Sequence, residues 1–318
     1  MNFFKHVSRS PLALTLALSL ALSLALTPAR AEWRPATALP TTVPKAMAAA
    51  MESRLYVMSG TVGTGLRQFF ELYDITNDGW RPLTPLPASL SHFSLSAGAG
   101  RVFVSGGRDA DSAALADGLW MYAPENALWL ELGSMPSKRA GHVSFVEQSR
   151  VFIGGGEGEQ AASVQSYGLD TGKWKTWDNQ MPVGVINAAM SPQGDEYIFA
   201  GGSDARGNDV TTVQAFNPKT GAWRLLPSLP MASSGGALGV VNGRLHYAGG
   251  YNKKAKRVLD NHIMLDDNEW TKQSSLPQAR HQMAYFGTGD ALIVIGGAMG
   301  SGFYSLFTAS DRVTIFRP

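Results

Sequence analysis

Residues 136–156, PSKRAGHVSFVEQSRVFIGGG, contain the pattern that decides the fold. The segment opens on a proline and closes on a glycine doublet twenty residues later, with two apolar runs between them. Those runs are rich in Val, Phe and Ile, residue types that favour strands. Glycine at the end of a strand often marks a place where two backbones approach closely. The segment therefore predicts a β-hairpin that packs tightly against a neighbour at its glycine end.

The same pattern recurs six times along the chain. A tryptophan precedes each proline by a few residues, and a small doublet ends twenty residues after each proline. The tryptophans lie 45 to 49 residues apart, at Trp33, Trp80, Trp129, Trp174, Trp223 and Trp270. The prolines are Pro40, Pro87, Pro136, Pro182, Pro230 and Pro277. Four strand-like runs per repeat and a period in the forties predict an all-β fold, a six-bladed β-propeller.

The two ends of the chain predict how the ring of blades closes. The last repeat supplies three strands, the third being residues 311–318, and no tryptophan strand follows it. Residues 32–34 form a tryptophan strand with no repeat before them. We therefore expect the N-terminal strand to complete the last blade, which avoids exposed sheet edges. Because half a ring would leave blade faces unburied, residues 32–318 should form one domain.

Residues 1–31 have the pattern of an export signal. Lys5 and Arg9 precede a predominantly apolar run of 15 residues, 12–26, and small residues follow at a cleavage site before Glu32. A retained membrane anchor is the alternative, but an anchor needs about 20 apolar residues. The pattern predicts a signal peptide. We therefore expect a periplasmic or secreted protein with no membrane span after cleavage.

Composition excludes several classes of function. The chain of 318 residues has no Cys, which excludes disulfides, thiolate metal sites, iron–sulfur clusters and cysteine nucleophiles. The net charge of +2 includes three basic residues of the signal, and without them 24 basic residues stand against 25 acidic ones. No excess of positive charge remains, so nucleic acid is not an expected partner. The five later histidines show no HxH or HxxxH spacing, so we expect no metal and no cofactor.

The loops between blades and the loops after each second strand should gather at one side of the ring, which we call the loop face. Variable loops on a rigid scaffold usually carry function. Five residues in these loops are candidate ligand-binding residues: His92, Arg139, Arg206, Arg280 and His281. Two acidic residues in the same loops are candidates for acid–base chemistry: Glu157 and Asp204.

Arg139 and Arg280 differ from the residues at the same position in the other repeats. Both lie three residues after the proline, where the other copies have Val43, Leu90, Val185 and Ser233. A planar guanidinium suits a carboxylate ligand. A solvated surface arginine is the alternative. His142, two residues into its strand segment, is expected instead to make a structural hydrogen bond.

The doublet, the tryptophan, the proline and an aromatic residue seven positions before the tryptophan resemble the kelch repeat over residues 32–318. The aromatic residues are Tyr73, Tyr122, Tyr167 and Phe216. This resemblance implies a binding platform, because propellers commonly bind partners at their loop face. We therefore expect an exported binding module for a glycan, an acidic sugar, a peptide or a protein. Kelch enzymes similar to galactose oxidase need a Cys cross-linked to a Tyr, so the absence of Cys excludes that class.

A narrower resemblance leaves an enzymatic alternative open. Sequence similar to bacterial periplasmic sialic-acid mutarotases occurs at residues 57–65, 140–146 and 293–302. That resemblance implies an isomerase that opens and recloses a sialic-acid ring with a general acid and a general base. The catalytic Glu of that family follows the fourth-blade doublet, where this chain has Ser203, and Arg206 stands three residues beyond. Since a serine is not a carboxylate base, Glu157 or Asp204 would have to replace that Glu.

Overall fold

The computed structural model describes residues 31–60 and 68–318, which consist almost entirely of β-structure. Six antiparallel sheets follow one another along the chain as the blades of a propeller, which confirms the predicted fold class. The only helix among the described residues is a 3-10 helix, Gly302–Phe307. No helix in this part of the chain is both long and apolar enough to cross a membrane. The predicted signal peptide, residues 1–31, lies outside the described residues except for Ala31.

Each of the first five blades runs from an innermost strand at the central channel to an outermost strand at the rim. Blade 1 consists of Met47–Met51, Arg54–Ser59, Phe69–Asp74 and Gly79–Pro82. Blade 2 consists of Ser94–Gly98, Arg101–Asp109, Leu115–Ala123 and Leu128–Ser134, with Leu90–Ser91 paired to its second strand. Blade 3 consists of Val143–Glu147, Arg150–Gly154, Val164–Gly168 and Lys173–Thr176. Blade 4 consists of Ala189–Gln193, Glu196–Ala200, Val213–Phe216 and Trp223–Leu226. Blade 5 consists of Ala237–Val241, Arg244–Ala248, His262–Asp266 and Glu269–Lys272, with a small hairpin of Tyr251–Asn252 and Arg257–Val258 in its loop.

Blade 6 is built from both ends of the chain. Its first three strands are Ala284–Gly287, Leu292–Ile295 and Val313–Arg317. The outermost strand is Glu32–Ala36, which pairs antiparallel with the C-terminal strand and places Trp33 opposite Phe316. The prediction that the N-terminal strand completes the last blade is confirmed. A single ring of six sheets therefore surrounds one central channel.

Four of the six repeated tryptophans tie their outermost strand to the preceding blade, whereas Trp223 Nε1 is buried without a partner among the described residues. Trp80 donates its indole N–H to Thr37 O at 3.0 Å, and Thr37 follows the outermost strand of blade 6. The same bond, at 2.9 to 3.0 Å, joins Trp129 to Thr84, Trp270 to Pro227 and Trp33 to Ser274. A large aromatic ring thus fills the gap between blades while its one polar group is satisfied across that gap.

The glycine doublet holds each blade against the segment that leads into the next. In blade 3, Gly155 and Gly156 have φ of 75° and 89°, which is left-handed backbone that side chains disfavour. Gly156 N–H donates to Val185 O at 2.8 Å, and a Cβ on Gly155 would lie 2.6 Å from the same oxygen. Both doublet residues have positive φ in blades 2 to 6, but not in blade 1, where the pair is Ser59-Gly60. The doublet therefore positions the inter-blade segments, and these carry the candidate site.

Candidate functional site

The inter-blade segments bring one residue of each repeat to the loop-face end of the channel. These residues lie five positions after each proline, and we call them the mouth ring: Lys45, His92, Gly141, Asn187, Gly235 and Gln282. All of them except Lys45 have a positive φ, between 54° and 64°. Left-handed backbone is uncommon outside glycine, so five copies at one repeat position indicate a constraint imposed by the ring.

Backbone hydrogen bonds connect the mouth ring from blade to blade. Gly141 N–H donates to His92 O at 2.8 Å, and Asn187 N–H donates to Gly141 O at 2.8 Å. Gly235 and Gln282 continue the series with bonds of 3.1 Å and 2.7 Å. Each of the inner members of this series donates to the blade before it and accepts from the blade after it. The scaffold, rather than a free loop, therefore sets where the side chains of the mouth ring lie.

Lys45 lies across the channel mouth. Its Nζ donates to Asn187 Oδ1 at 3.3 Å. Because blades 1 and 4 stand opposite each other in a ring of six, this contact carries the lysine side chain from one side of the mouth to the other. Burial lowers the pKa of the Lys45 amine to about 8, while the charge of Glu157 acts in the opposite direction. Lys45 is therefore still mainly protonated at pH 7 and brings a positive charge into the mouth.

His92 and an ion pair flank Lys45. The positive charge of Lys45, followed by burial and by Arg108, lowers the pKa of His92 to about 3, so its imidazole is neutral. His92 Nδ1 lies 3.1 Å from Ser91 Oγ. Arg108 forms an ion pair with Glu157 on the loop face, and the two charges offset each other. Among the described residues on this side of the mouth, Lys45 consequently supplies the positive charge that no ion pair offsets.

Arg139 is buried beneath the loop face and is not exposed on it, which corrects the prediction that it is available to a ligand. Its side chain is 0% exposed. Nη1 donates to Gly155 O at 3.0 Å and to Ser163 O at 3.1 Å, and Nη2 donates to Ser163 Oγ at 2.7 Å. Nε donates to Ser137 Oγ at 3.1 Å. Every guanidinium nitrogen already has an acceptor inside the protein, so a ligand carboxylate has no access to Arg139.

Arg280 occupies the same kind of place in blade 6 and requires the same correction. It is 0% exposed, and its Nη1 donates to Gly296 O at 3.0 Å and to Arg312 O at 2.9 Å. Burial is the main reason why the pKa of Arg280 falls to about 10. The third position after the proline is buried in the other blades too, at Val43, Leu90, Val185 and Ser233. Neither a ligand-binding nor a solvated role fits these two arginines, because both brace the interior of a blade.

Glu157 and Asp204 are held in separate interactions. Asp204 accepts the N–H groups of Arg206 at 2.9 Å and of Asn208 at 2.8 Å, and so closes its own turn. Its hydrogen bond from the Asn208 backbone is the largest cause of a lowered pKa of Asp204, whereas a general acid requires a raised one. Glu157 is paired with Arg108. Arg206 has an exposed side chain in the same turn as Asp204.

His281 and His142, the two remaining histidines of the sequence analysis, are each adjacent in sequence to a residue of the mouth ring. His281 donates its Nε2–H to Gly300 O at 2.7 Å, and its ring lies 5.6 Å from that of Tyr251. His142 is buried, with its Nε2 2.8 Å from Ser105 Oγ. Desolvation by burial is the largest cause of a lowered pKa at both imidazoles. His142 therefore makes a structural hydrogen bond, and its partner is the Ser105 side chain of blade 2.

A cavity of about 290 Å³ extends from the mouth ring along the innermost strands. Among the described residues that line it, Lys45 is the only charged one. Two of the lining residues each have a buried polar atom, His142 Nδ1 and Ser96 Oγ, that has no hydrogen-bond partner among the described residues and is not accessible to solvent in the cavity. Tyr285 Oη, also in the wall, accepts the Met190 N–H at 2.7 Å. The described wall of the channel therefore combines one cation at the mouth with a mainly apolar surface.

Lys45, Asn187 and Gln282 were not among the site residues predicted from the sequence. Their shared distance of five residues from the proline can be read from the repeat. The direction of Asn187 and Gln282 cannot, because it depends on left-handed backbone that a Gln side chain does not signal, and the contact of Lys45 with Asn187 forms only when the ring closes. In the part of the chain that the structure describes, no group of three or more His, Asp or Glu residues could hold a metal ion.

Comparisons with known proteins agree with this architecture. Residues 101–297 match the family described as the KLHDC2/KLHL20/DRC7 Kelch-repeats domain. Kelch-like protein 36 of Rattus norvegicus is 24% identical over 270 residues, which cover 65% of this chain and 43% of that protein. Rab9 effector protein with kelch motifs of Xenopus laevis is 27% identical over 209 residues, 57% of this chain and 56% of that protein. The chain thus spans about half or less of the length of these relatives.

A solved structure, that of YjhT, has the same fold. It superposes with a TM-score of 0.77 over 87% of this chain and 95% of that one, at 18% sequence identity. At this level of identity the likeness concerns the arrangement of the blades. The residues of the mouth ring therefore have to be assessed on their own chemistry.

Proposed function

We propose that this chain, which belongs to the kelch-repeat family, is an exported binding module that takes its ligand at the channel mouth on the loop face. The observation that supports this proposal is the mouth ring. Backbone bonds between blades hold the polar residues His92, Asn187 and Gln282 in place, and Lys45 reaches Asn187 through its side chain. Such a preorganised set of groups can bind a ligand without first being ordered.

The charge at the mouth favours a ligand with an acidic group. Lys45 lies across the channel, and the exposed Arg206 stands in the loop of blade 4. Glu157, whose charge acts on Lys45, is paired with Arg108. An acidic glycan or a peptide segment with a carboxylate would match this pattern. Export is part of the proposal because residues 1–31 have the signal pattern.

The geometry supports binding better than the alternative of sialic-acid mutarotation. Ring opening needs a base and an acid within reach of the same sugar. Asp204 is engaged by its own turn and Glu157 by Arg108, while Ser203 Oγ donates to Asp209 Oδ1 at 3.0 Å. Proton NMR of α-sialic acid with the purified protein tests the alternative directly. Faster equilibration at micromolar protein would favour the enzyme over the binding module.

The binding proposal is tested by substitutions that keep the backbone of the mouth ring. Glycine already occupies this repeat position in blades 3 and 5, so His92→Gly and Gln282→Gly remove a side chain without opposing the left-handed φ. We expect each to weaken binding of ligands found on glycan and peptide arrays by about tenfold, the typical effect of losing one or two hydrogen bonds. Arg224→Ala, in the outermost strand of blade 4, is the matched control and should leave binding unchanged. Equal binding by all three variants would place the ligand elsewhere.

A further inference from the structure

We propose that the loop face carries a second surface, away from the channel mouth, that docks on an anionic lipid bilayer. The surface consists of residues 203–209 of blade 4, 251–261 of blade 5 and 298–311 of blade 6, and we call it the loop arc. Each of these loops follows the second strand of its blade, so all three lie on the same side of the ring. The inference goes beyond the proposed function, because it does not depend on a ligand at the mouth.

The loop arc is one connected structure. Lys253 of blade 5 donates its backbone N–H to Asp209 Oδ2 of blade 4 at 2.5 Å. On the other side of the hairpin, the Tyr251 ring lies 5.6 Å from the His281 ring. His281 in turn donates its Nε2–H to Gly300 O in the loop of blade 6 at 2.7 Å. The three loops therefore hold one another in place.

The tip of the blade 5 hairpin is strongly basic. Residues 253–257, KKAKR, include four basic residues and no acidic one, and all five are exposed. The buried Asn252 fixes the tip from below: its Nδ2 donates to Ala232 O at 2.7 Å and its Oδ1 accepts the Ala255 N–H at 2.6 Å. The cations of the tip are thus presented on an ordered turn.

Charge is distributed unevenly over the loop face. The loops of blades 4 and 5 hold five basic residues, Arg206 among them, against three acidic ones, and none of the three acids lies in the tip. The corresponding loops of blades 2 and 3, residues 108–118 and 156–163, hold one basic residue against five acidic ones. A negatively charged bilayer attracts the first side and repels the second. The ring therefore docks with blades 4 to 6 towards the membrane.

The blade 6 loop adds exposed apolar side chains to this charge. Tyr304 and Phe307 are 72% and 71% exposed, more than any other large apolar side chain among the described residues. They stand three residues apart in the 3-10 helix Gly302–Phe307. Because such a helix has three residues per turn, both side chains lie on the same face of it. Aromatic side chains are favoured at the interface between lipid and water.

The combination of cations and aromatic rings favours a bilayer over a soluble polyanion. A soluble acidic polymer is attracted by the cations alone and gains nothing from rings that stand beside them. A bilayer offers anionic headgroups and an apolar region side by side, and proteins that lie on membranes use basic and aromatic residues together. Tyr304 and Phe307 enter the headgroup region while the cations of the tip meet lipid phosphates.

Co-sedimentation with lipid vesicles tests the proposal. The protein is used as residues 32–318, the complete ring of six blades, because the apolar run 12–26 would itself enter a bilayer. We expect binding to mixed vesicles of phosphatidylcholine and phosphatidylglycerol that is about tenfold or more stronger than binding to phosphatidylcholine alone. High salt should weaken it, because salt screens exposed charges. Failure to bind the mixed vesicles, or equal binding to both kinds, would overturn the proposal.

The cations are tested by replacing three residues of the tip with glutamine. The triple variant is Lys254→Gln/Lys256→Gln/Arg257→Gln. We expect it to bind mixed vesicles about a hundredfold more weakly, since each cation near an anionic surface strengthens binding about fivefold. The matched control removes the same charge from exposed residues at turns on the opposite side of the ring. It is Lys173→Gln/Lys219→Gln/Arg244→Gln, and it should bind as the unaltered protein does. Equal loss in both variants would show that net charge, and not the loop arc, governs binding.

The aromatic pair is tested separately. Tyr304→Ser/Phe307→Ser should weaken binding to mixed vesicles by about tenfold, because two partly inserted rings are lost. Leu128→Ser/Leu130→Ser, at exposed leucines of the outermost strand of blade 2, is the matched control and should bind normally. Melting curves followed by circular dichroism establish that each variant is folded. Unchanged binding by a folded aromatic variant would contradict docking on a bilayer.

Poly-L-glutamate distinguishes a membrane from a soluble acidic partner. If the polymer binds at the tip and mixed vesicles do not bind, the partner is an acidic polymer and the proposal is wrong. The proposed function fails independently of this surface, because it depends on His92 and Gln282 of the mouth ring. The triple variant of the tip leaves both of these residues in place, so array ligands of the mouth should bind to it normally.

Discussion

Two positions of the repeat lie only two residues apart and have opposite environments. The third residue after the proline is buried in all six blades, even where it is Arg139 or Arg280. The fifth residue, in the mouth ring, lines the channel mouth and includes the cation Lys45. Arg139 donates to backbone carbonyl groups of its own blade, whereas Lys45 reaches across the ring to another blade. A positive charge thus braces the interior at one position and lines the channel mouth at the other.

The comparison teaches that charge alone does not identify a binding residue in this repeat. The third position is fixed by its own carbonyl group: Arg139 O accepts the Gly107 N–H at 2.7 Å, and Arg280 O accepts the Gly250 N–H at 2.9 Å. This inter-blade bond holds the third residue after the proline next to the glycine doublet of the preceding blade. Two residues later the backbone is left-handed in five of the six repeats, and Lys45 is the exception.

Removal of a buried arginine should have the largest effect. Arg139→Ala leaves the carbonyl oxygens of Gly155 and Ser163 without their charged donor and opens a cavity between strands. We expect a loss of about 3 to 5 kcal/mol in the free energy of unfolding. Urea denaturation measures it, with Arg224→Ala on the rim as the control. A loss below about 1 kcal/mol would show that the interior does not depend on this guanidinium.

Acid should have the next largest effect, through histidines in the interior. His246 Nδ1 lies 3.0 Å from His262 Nε2, and burial is the main cause that lowers their pKa values to about 4 and about 3. The unfolded chain takes up these protons below about pH 6.5, whereas the folded chain does not. The unfolded state therefore binds more protons between about pH 6.5 and pH 4, and stability falls as the pH is lowered through that range. We expect a loss of about 3 kcal/mol or more from the pair.

Urea titrations at pH 7.5 and pH 4.5 measure this acid sensitivity. The double variant His246→Phe/His262→Phe should show a smaller difference between the two pH values, if it folds. The pair lies close to the ring closure, because His262 Nδ1 donates to Ser274 O, which also accepts the Trp33 indole N–H. Equal acid sensitivity in a folded double variant would assign the effect to other groups, His142 first among them.

The smallest effect concerns the backbone of the mouth ring. Gln282 has a φ of 54°, and both Gln and Ala carry a Cβ there, so Gln282→Gly should be about 1 kcal/mol more stable than Gln282→Ala. Thermal denaturation of the two variants side by side gives the comparison. If alanine were tolerated as well as glycine, the left-handed backbone would not be what organises the mouth.

The site was only partly predictable from the sequence. Ligand binding was predicted for His92 and His281 and stays a prediction: His92 lines the mouth, whereas His281 is buried and bonded to Gly300 O. Arg139 and Arg280 were assigned to the same surface because they differ from the other repeats. The apolar residues Val43, Leu90 and Val185 at that position were the better signal, since an apolar position repeated through a fold usually marks the interior. An arginine buried there finds its partners in backbone carbonyl groups, which a sequence does not display.

The repeat by itself determined the number of blades, the order of strands and the closure by residues 32–36, because each depends on local periodicity and on the count of strand-like runs. The tertiary structure alone decided which polar residues meet. Lys45 and Asn187 are 142 positions apart and touch only because six blades close into a ring. Strand formation is governed by neighbours along the chain, whereas a channel mouth is assembled from one residue of every repeat.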